Sequence, residues 1–542
     1  MTPTNQLKEL SILNQRKTQT AEYWQKQFQV TSQDIEAIYQ QIIEQNQAVK
    51  LEDIAVALVQ RHCDAEELAS RSELQEGKLY EPKGSFAVDE TLIFPALEYA
   101  VGKVTASRPG RHPDFGSFNV ITVDFGSGDN REFAANFTHD HPLNAGSQIL
   151  ASVEGLKSPE ELYSAYREVI SKKIKSSLSR NDDLVEFHDT YFLRAGLNEF
   201  HEGLFNIADA AIDINQGPLA IDDLIEQMGM FSNADEITDV ARFTVNYHLA
   251  NDERFIDVGP SGQVAWYLER IEPPEVTHPP RRLQVSQNDY DPAAFDEDLY
   301  TLLPEIDDEA TRPEDAAPAD PTAKKTTLVL NYPHWRVGTL PITPKTRSFF
   351  PTSNYNPVLF EFIDGRTGDT FPGWTVSEHN YVFGLEEWYQ KNKLPVGAYI
   401  ILKRTNSPMQ IVVDFEATRT QRDWVRMAKV VNHKLTFQMN PSPIGCKYDD
   451  LMIIGDATPE DTDKLWVTAE ERHRSLFQLL CDIFPELSKL NPQSTVHAKT
   501  LYSAVNVVKR VSPGVIFQEL ASHRCFIPMN HGYWTYDPTL RD

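Results

Sequence analysis

Residues 245–276 read VNYHLANDERFIDVGPSGQVAWYLERIEPPEV, and the fold expected of the chain follows from this stretch. From Leu197 onward the sequence gives helices, then a tight turn, then two short strands closing on Trp266 and Tyr267. That order is a winged helix-turn-helix. Phe205, Ile207, Leu224, Phe243, Val245, Phe255 and Trp266 fall at helical or strand spacing and are its expected core.

The ending DERFIDVGPSGQVAWYL resembles the HARE-type helix-turn-helix module and the delta subunit of bacterial RNA polymerase. The resemblance covers about 80 residues. It implies a module that meets RNA polymerase, because the delta subunit pairs such a domain with an acidic tail. Here an acidic segment also follows, but more than 200 residues come after it. The helix expected to read DNA, DEITDVARFTVNYHLANDERF, carries Asp235, Glu236, Asp239, Asp252 and Glu253 against Arg242 and Arg254. Such a helix repels phosphate, so a protein contact or a structural role is the expectation for this module.

Charge is unevenly spread along the 542 residues. The total is −28, with −20 in residues 1–288, −11 in 289–321 and +3 in 322–542. Nucleic-acid binding needs positive surface, so the last section is the expected hand for DNA. Its candidate contacts are Lys391, Lys393, Lys403 and Arg404, with Trp374 and Tyr389 for stacking, then Arg419, Arg422, Arg426 and Lys429, then Lys499, Lys509, Arg510 and Arg524. Residues 419, 422, 426 and 429 share one face if the segment is a helix; the stripe breaks up if DWVRMAKVV is a strand.

Around these modules the chain alternates in character. Residues 20–75 read as helices, either a packing element or a wingless helix-turn-helix. Residues 80–145 alternate apolar and polar residues around glycine turns such as FGSGDNREF, the pattern of a small antiparallel barrel. Lys172, Lys173, Lys175 and Arg180 mark a solvated helix face. Residues 289–321 hold twelve acids, one base and five prolines, with Tyr300, Leu302 and Leu303 inside the run, and disorder is expected there. Residues 326–415 are strand-rich. Within them GLEEWYQKNKLPVGAYIILKR is similar to a stretch of the plant-type pseudobarrel DNA-binding domain of auxin-response factors. A second winged module is expected over 475–538, where CFIPMNHGYWTYD parallels FIDVGPSGQVAWYL.

The expected architecture is α+β and multidomain, winged helix-turn-helix modules combined with small antiparallel β-barrels. In order it has a helical domain (1–78), a barrel (79–150), a helical connector (151–190), the HARE-like module (191–280), the acidic linker (281–325), a second barrel (326–418), a mixed connector (419–470) and the second winged module (471–542).

No nucleotide-binding, zinc-protease or nucleophile-elbow motif occurs. His139 and His141 of THDHP point to opposite faces if extended, so a turn explains them better than a metal. No catalytic residue, metal or cofactor is expected, and the protein is read as non-enzymatic. Neither a leader nor an apolar run of membrane-spanning length is evident, and the four scattered cysteines suggest no disulfide framework. A cytoplasmic, nucleoid-associated regulator with DNA and RNA polymerase as partners is the leading expectation. A scaffold that never touches DNA, and a nucleic-acid-processing or defence component, are the alternatives.

Overall fold

The computed structural model describes residues 16–541 except 76–77, 95–96, 98–99, 114, 127–129, 140, 142–155, 231–236, 286–288 and 473. Part of the FGSGDNREF turn, Asp140 of THDHP, and Asp235 and Glu236 lie outside the described residues. The chain forms two compact units, Met1–Phe200 with Ile237–Tyr247, and His201–Glu236 with His248–Asp542.

In the first unit, α1 (Ser32–Gln45) starts at a capping box. The Thr31 hydroxyl accepts the Asp34 N–H while the Asp34 carboxylate accepts the Thr31 N–H. The helix ends at Asn46 in the left-handed region, and β1 (Val49–Lys50) and α2 (Leu51–Gln75) follow. A five-stranded sheet then intervenes, made of β2 (Lys78–Leu79), β3 (Thr91–Phe94), β4 (Ala100–His112), β5 (Gly116–Asp124) and β6 (Asn130–Ala135) in that spatial order. All its pairs are antiparallel except β2 with β3. Tyr80, Phe94 and Phe133 fill its concave side, with Tyr80 stacked on Phe94 at 4.6 Å. The sheet curls far enough that the Asn136 and Phe137 N–H groups beyond its last strand donate to Gly84 and Pro82 beyond its first, both at 2.9 Å.

After this insertion come α3 (Pro159–Leu178), β7 (Leu184–Phe187) and β8 (Thr190–Leu193). β7 and β8 turn tightly through His188 and Asp189, both at positive φ, as a two-residue hairpin requires. β1 pairs with β8, giving the sheet order β1-β8-β7. The expected N-terminal helical domain and the connector at 151–190 therefore share one three-stranded sheet and form one module, with the five-stranded sheet inserted between α2 and α3.

The same chain order recurs with α4 (Glu202–Asn215), β9 (Leu219–Ala220), α5 (Ile221–Met228), α6 (Asp239–Ala250), β10 (Phe255–Asp257) and β11 (Ala265–Leu268), whose sheet runs β10-β11-β9. Six of the seven expected core residues of this region are buried or half-buried. Ile207 is the exception at 42 % exposed, because it sits on the outer face of α4.

The acidic segment is ordered. Leu299, Leu302, Leu303 and Ile306, around α7 (Glu297–Leu302), are buried in one core with the following sheet and the C-terminal helices. Tyr300 stays outside. The expectation of disorder fails because the segment's acids find partners elsewhere in the sequence. Asp307 meets Lys345 at 3.0 Å, and Asp308 and Glu309 meet Arg510 at 2.7 Å.

Seven strands follow: β12 (Lys325–Val329), β13 (Thr339–Pro341), β14 (Val358–Asp364), β15 (Thr370–Val376), β16 (Tyr381–Phe383), β17 (Tyr399–Arg404) and β18 (Gln410–Phe415). Their order is β12-β17-β18-β14-β15-β16-β13, and only β14 with β18 is parallel, so the expected antiparallel barrel is a mixed sheet. Its two edge strands are joined by residues 330–338, which are mostly the six-residue helix α8 (Tyr332–Val337). A helix of that length spans about 9 Å, so the edges must approach and the sheet curls into a half-barrel. A further helix, α9 (Glu386–Asn392), lies between β16 and β17.

Residues 417–446 form a two-stranded ribbon, β19 (Ala417–Val431) and β20 (Lys434–Cys446), extended by β21 (Gly455–Asp456). Then come α10 (Pro459–Glu471), α11 (Leu476–Ser488), β22 (Val496–His497), α12 (Ala498–Val505), α13 (Pro513–Ser522), β23 (Phe526–Pro528) and β24 (Tyr533–Tyr536). From α11 onward the same order of helices and strands comes a third time, with sheet β22-β24-β23. In all three modules an apolar residue of the two-residue strand faces a buried aromatic: Val49 opposite Tyr191, Leu219 opposite Trp266, Val496 opposite Trp534.

Candidate nucleic-acid interface

The ribbon β19–β20 is the most exposed basic element of the C-terminal section. Residues 417–446 carry Arg419, Arg422, Arg426, Lys429 and Lys434 against Asp423 alone. β-branched and aromatic residues near the Asn432-His433 turn favour strands, and both turn residues adopt the positive φ of a two-residue hairpin. The segment is thus no helix, and the four-residue basic stripe is not formed. Strand alternation leaves Arg422, Trp424 and Arg426 on one face and turns Lys429 to the other. Arg419 lies within a register irregularity between Ala417 and Gln421.

On the shared face the partners across the ladder are Pro443, Pro441 and Met439. Prolines two apart on the edge strand β20 withhold their missing N–H groups from the outer edge, so the ribbon does not invite a further strand. Trp424 stands opposite Pro441 and is 67 % exposed. Arg422 and Arg426 flank it about 13 Å apart at strand rise. The Arg426 guanidinium donates to the Asp450 carbonyl, which fixes its direction. It also borders a cleft of 290 Å³ lined by Asn491, Thr495, His497, Thr500 and Tyr533 and by no carboxylate. His497 Nδ1 accepts the Lys499 N–H at 3.1 Å, and burial followed by the charge of Lys499 draws its pKa down to about 4. The half of the ribbon nearest the turn packs on α10 and α11, with Val425, Ala428, Leu435 and Phe437 buried.

The remaining candidate residues are dispersed. Lys391 pairs with Asp369 at 2.9 Å and Lys403 with Asp414 at 2.9 Å. Arg404 donates to the carbonyls of Ala323 and Pro321, at 2.9 and 3.0 Å. Lys393 and Arg524 are exposed. Three candidates are unsuited to phosphate. Lys499 is buried against the Asp449 carboxylate. Lys509 donates to the Arg474 carbonyl at 3.0 Å, and burial lowers its pKa. Arg510 is buried and holds the acidic segment. Of the proposed stacking residues, Tyr389 is core, its hydroxyl donating to the Thr339 carbonyl at 2.8 Å, and Trp374 is buried beside Tyr267.

Arg510 is the centre of a closed network. Its guanidinium donates to both Asp308 oxygens (2.7 and 2.9 Å), to Glu309 (2.7 Å) and to Asn506 Oδ1 (3.0 Å). The Tyr502 hydroxyl donates to Asp308 at 2.5 Å, and His334 Nε2 meets Glu309 at 2.9 Å. Arg510, with His334, holds the Glu309 carboxyl well below its ordinary range against the opposing effect of burial. Arg510, Asp308, Tyr502 and His334 are all buried, and the network locks the segment onto the third module.

In two of the three modules the helix that precedes the hairpin is covered. In the first unit, α6 buries Phe243, Thr244 and Val245, with Phe243 against Phe192 at 5.7 Å and Thr244 Oγ1 accepting the Asn198 N–H at 3.1 Å. In the second unit, α13 lies beneath the acidic segment. Phe295 packs on Phe517, Gln518 accepts the Asp291 N–H at 2.8 Å, and the Tyr290 ring sits over Gly514. α3 is the most open of the three. Its Lys173, read as solvated, instead donates to the carbonyls of Trp24, Gln25 and Phe28 at 2.8 to 2.9 Å.

Comparison with protein-family models, curated proteins and solved structures returned no significant match. Among the described residues no three His, Cys, Asp or Glu side chains are grouped to hold a metal ion, and no helix is long and apolar enough to cross a membrane. The cysteines are free thiols.

Proposed function

We propose that the chain is a non-enzymatic, DNA-associated regulatory protein that grips nucleic acid through the ribbon β19–β20. The carrying observation is the face formed by Arg422, Trp424 and Arg426, with an exposed indole between two arginines. A two-stranded ribbon fits the major groove, arginines neutralise phosphate, and an exposed indole offers a stacking platform. The carboxylate-free cleft beside Arg426 continues that surface. The second winged module then serves a protein partner such as RNA polymerase. Exposed Asp222, Asp223 and Glu226 on α5 suit a basic protein and repel DNA.

The test is binding of the full chain to random duplex and single-stranded DNA at low and moderate salt. Affinity is expected to fall with salt, and replacing Arg419 and Arg422 with alanine should reduce the logarithmic salt slope by about 1 to 2. Trp424→Ala should weaken single-strand binding by about 1–3 kcal/mol. Absence of binding at low salt, or an unchanged slope in the arginine variant, refutes the reading. A scaffold role is the second reading, favoured by the covered helices α6 and α13.

A further inference from the structure

A cleft of 560 Å³ opens on the seven-stranded sheet, and no residue of the ribbon lines it. Its walls are Phe371, Trp374, Phe383 and Trp388, and its floor and rim carry Asp364, Asp369, Glu386 and Glu387 against a single base, Lys391. Two buried polar atoms in it lack partners. Asp364 is 1 % exposed; its Oδ1 accepts the Arg366 N–H at 2.9 Å, but Oδ2 accepts nothing. Trp388 is 3 % exposed and its Nε1–H donates to nothing. Lys391 does not resolve this, because its ammonium is committed to Asp369 at 2.9 Å and stands 3.9 Å from Asp364. Leaving a buried acceptor and a buried donor unpaired costs stability that a ligand can recover.

We propose that this cleft binds the arginine side chain of a partner peptide. Four carboxylates against one ammonium exclude phosphate-bearing ligands and draw a cation. Aromatic walls favour a flat, weakly hydrated guanidinium over a compact ammonium. One guanidinium N–H donates to Asp364 Oδ2, and a carbonyl of the same peptide accepts the Trp388 Nε1–H. Lys391 keeps Asp369, so it need not be displaced. The site is independent of the nucleic-acid reading and gives the chain a second, basic class of partner.

The experiment uses the full chain labelled with 5-fluorotryptophan, with Trp388→Phe assigning one fluorine resonance among the eight tryptophans. The probe is the capped tripeptide Gly-Arg-Gly, compared with its citrulline and lysine analogues and with a nucleoside. The Trp388 resonance is expected to shift saturably with the arginine peptide. Citrulline should bind about tenfold more weakly, as loss of a charge-assisted hydrogen bond implies. Asp364→Asn, which keeps the acceptor for Arg366, should weaken binding by about the same factor. Glu387→Gln, on the exposed rim, should weaken it about twofold without touching the core. No shift at about 10 mM peptide overturns the proposal, since affinity would then be weaker than a useful contact. Equal binding of citrulline, or tighter binding of the nucleoside, overturns it as well.

Discussion

Replacing Glu272 with glutamine should remove the larger part of a pH dependence that the second unit carries between mildly acidic and mildly alkaline solution. Glu272 follows β11, is 7 % exposed, and neither of its carboxylate oxygens has a hydrogen-bond partner. Burial, then the charge of Glu269, pushes its pKa from 4.5 up to about 7. Besides Glu269, the ionisable groups it faces are Tyr267 and Tyr381, with Glu275 also acting on Tyr381, and no cation among the described residues offsets a charge on it. The surroundings are the apolar cluster that joins the wing of the second module to β15 and β16, including Val258, Val276, Trp374 and Tyr381. The folded state holds the proton more tightly than the unfolded chain. Its stabilisation is complete below about pH 4.5 and is lost as pH rises through about 7. The displacement corresponds to about 3 kcal/mol at most. Asp257, raised to about 6 by burial, contributes in the same direction but is common to both proteins. Native-state hydrogen exchange of the β15 and β16 amides, compared between wild type and Glu272→Gln at pH 5 and pH 8, isolates the term. The variant should gain up to about 3 kcal/mol on wild type between the two pH values. An equal difference at both pH values refutes the reasoning, because the carboxyl would then not be titrating in that window.

Arg510→Met strips Asp308 and Glu309 of their buried cation and should cost about 3–5 kcal/mol in chemical denaturation; a loss below about 1 kcal/mol would mean that water reaches the pair. Gly514→Ala places a Cβ 2.4 Å from the Tyr290 ring and should lift the acidic segment off α13. The expected loss is about 1–3 kcal/mol, with faster proteolysis near residue 290 as the readout, and an unchanged digest would show that the ring can move aside.

The helix and strand order of residues 202–268 was legible because its elements are contiguous and its hairpin ends in an aromatic pair. That of the first module was not, although the six residues VKLEDI at Val49–Ile54 repeat the pattern of LAIDDL at Leu219–Leu224 and VHAKTL at Val496–Leu501. Each is a buried residue of the short strand, a less buried one, then the start of a helix whose fourth residue is core. The barrel between α2 and α3 separates this signature from its hairpin, and windowed periodicity cannot bridge such an insertion. The ribbon failed for a different reason. Arg419, Arg422, Arg426 and Lys429 fit a helical period, while the branched residues Val425, Val430 and Val431 fit a strand, and the tight turn at Asn432-His433 decides between them.

The acidic segment shows why charge counted by section misleads. Its acids predict disorder only if their counter-charges are absent, and those lie up to about 200 residues away, in Lys345 and Arg510. The same contacts remove Arg510 from any DNA surface. Part of the positive balance of residues 322–542 is therefore the internal complement of the segment before it, and taken together the two are net negative. The case for nucleic acid rests on local geometry, on the Arg422–Trp424–Arg426 face, rather than on the charge of the whole section. Deleting residues 289–321 would not reveal whether the acidic segment competes with DNA for the ribbon. It would remove Leu299, Leu303 and the partners of Arg510 from the core, so any change in DNA affinity would report unfolding. Charge reversal of exposed Glu297 or Glu305, which leaves the core intact, separates competition for DNA from loss of the fold.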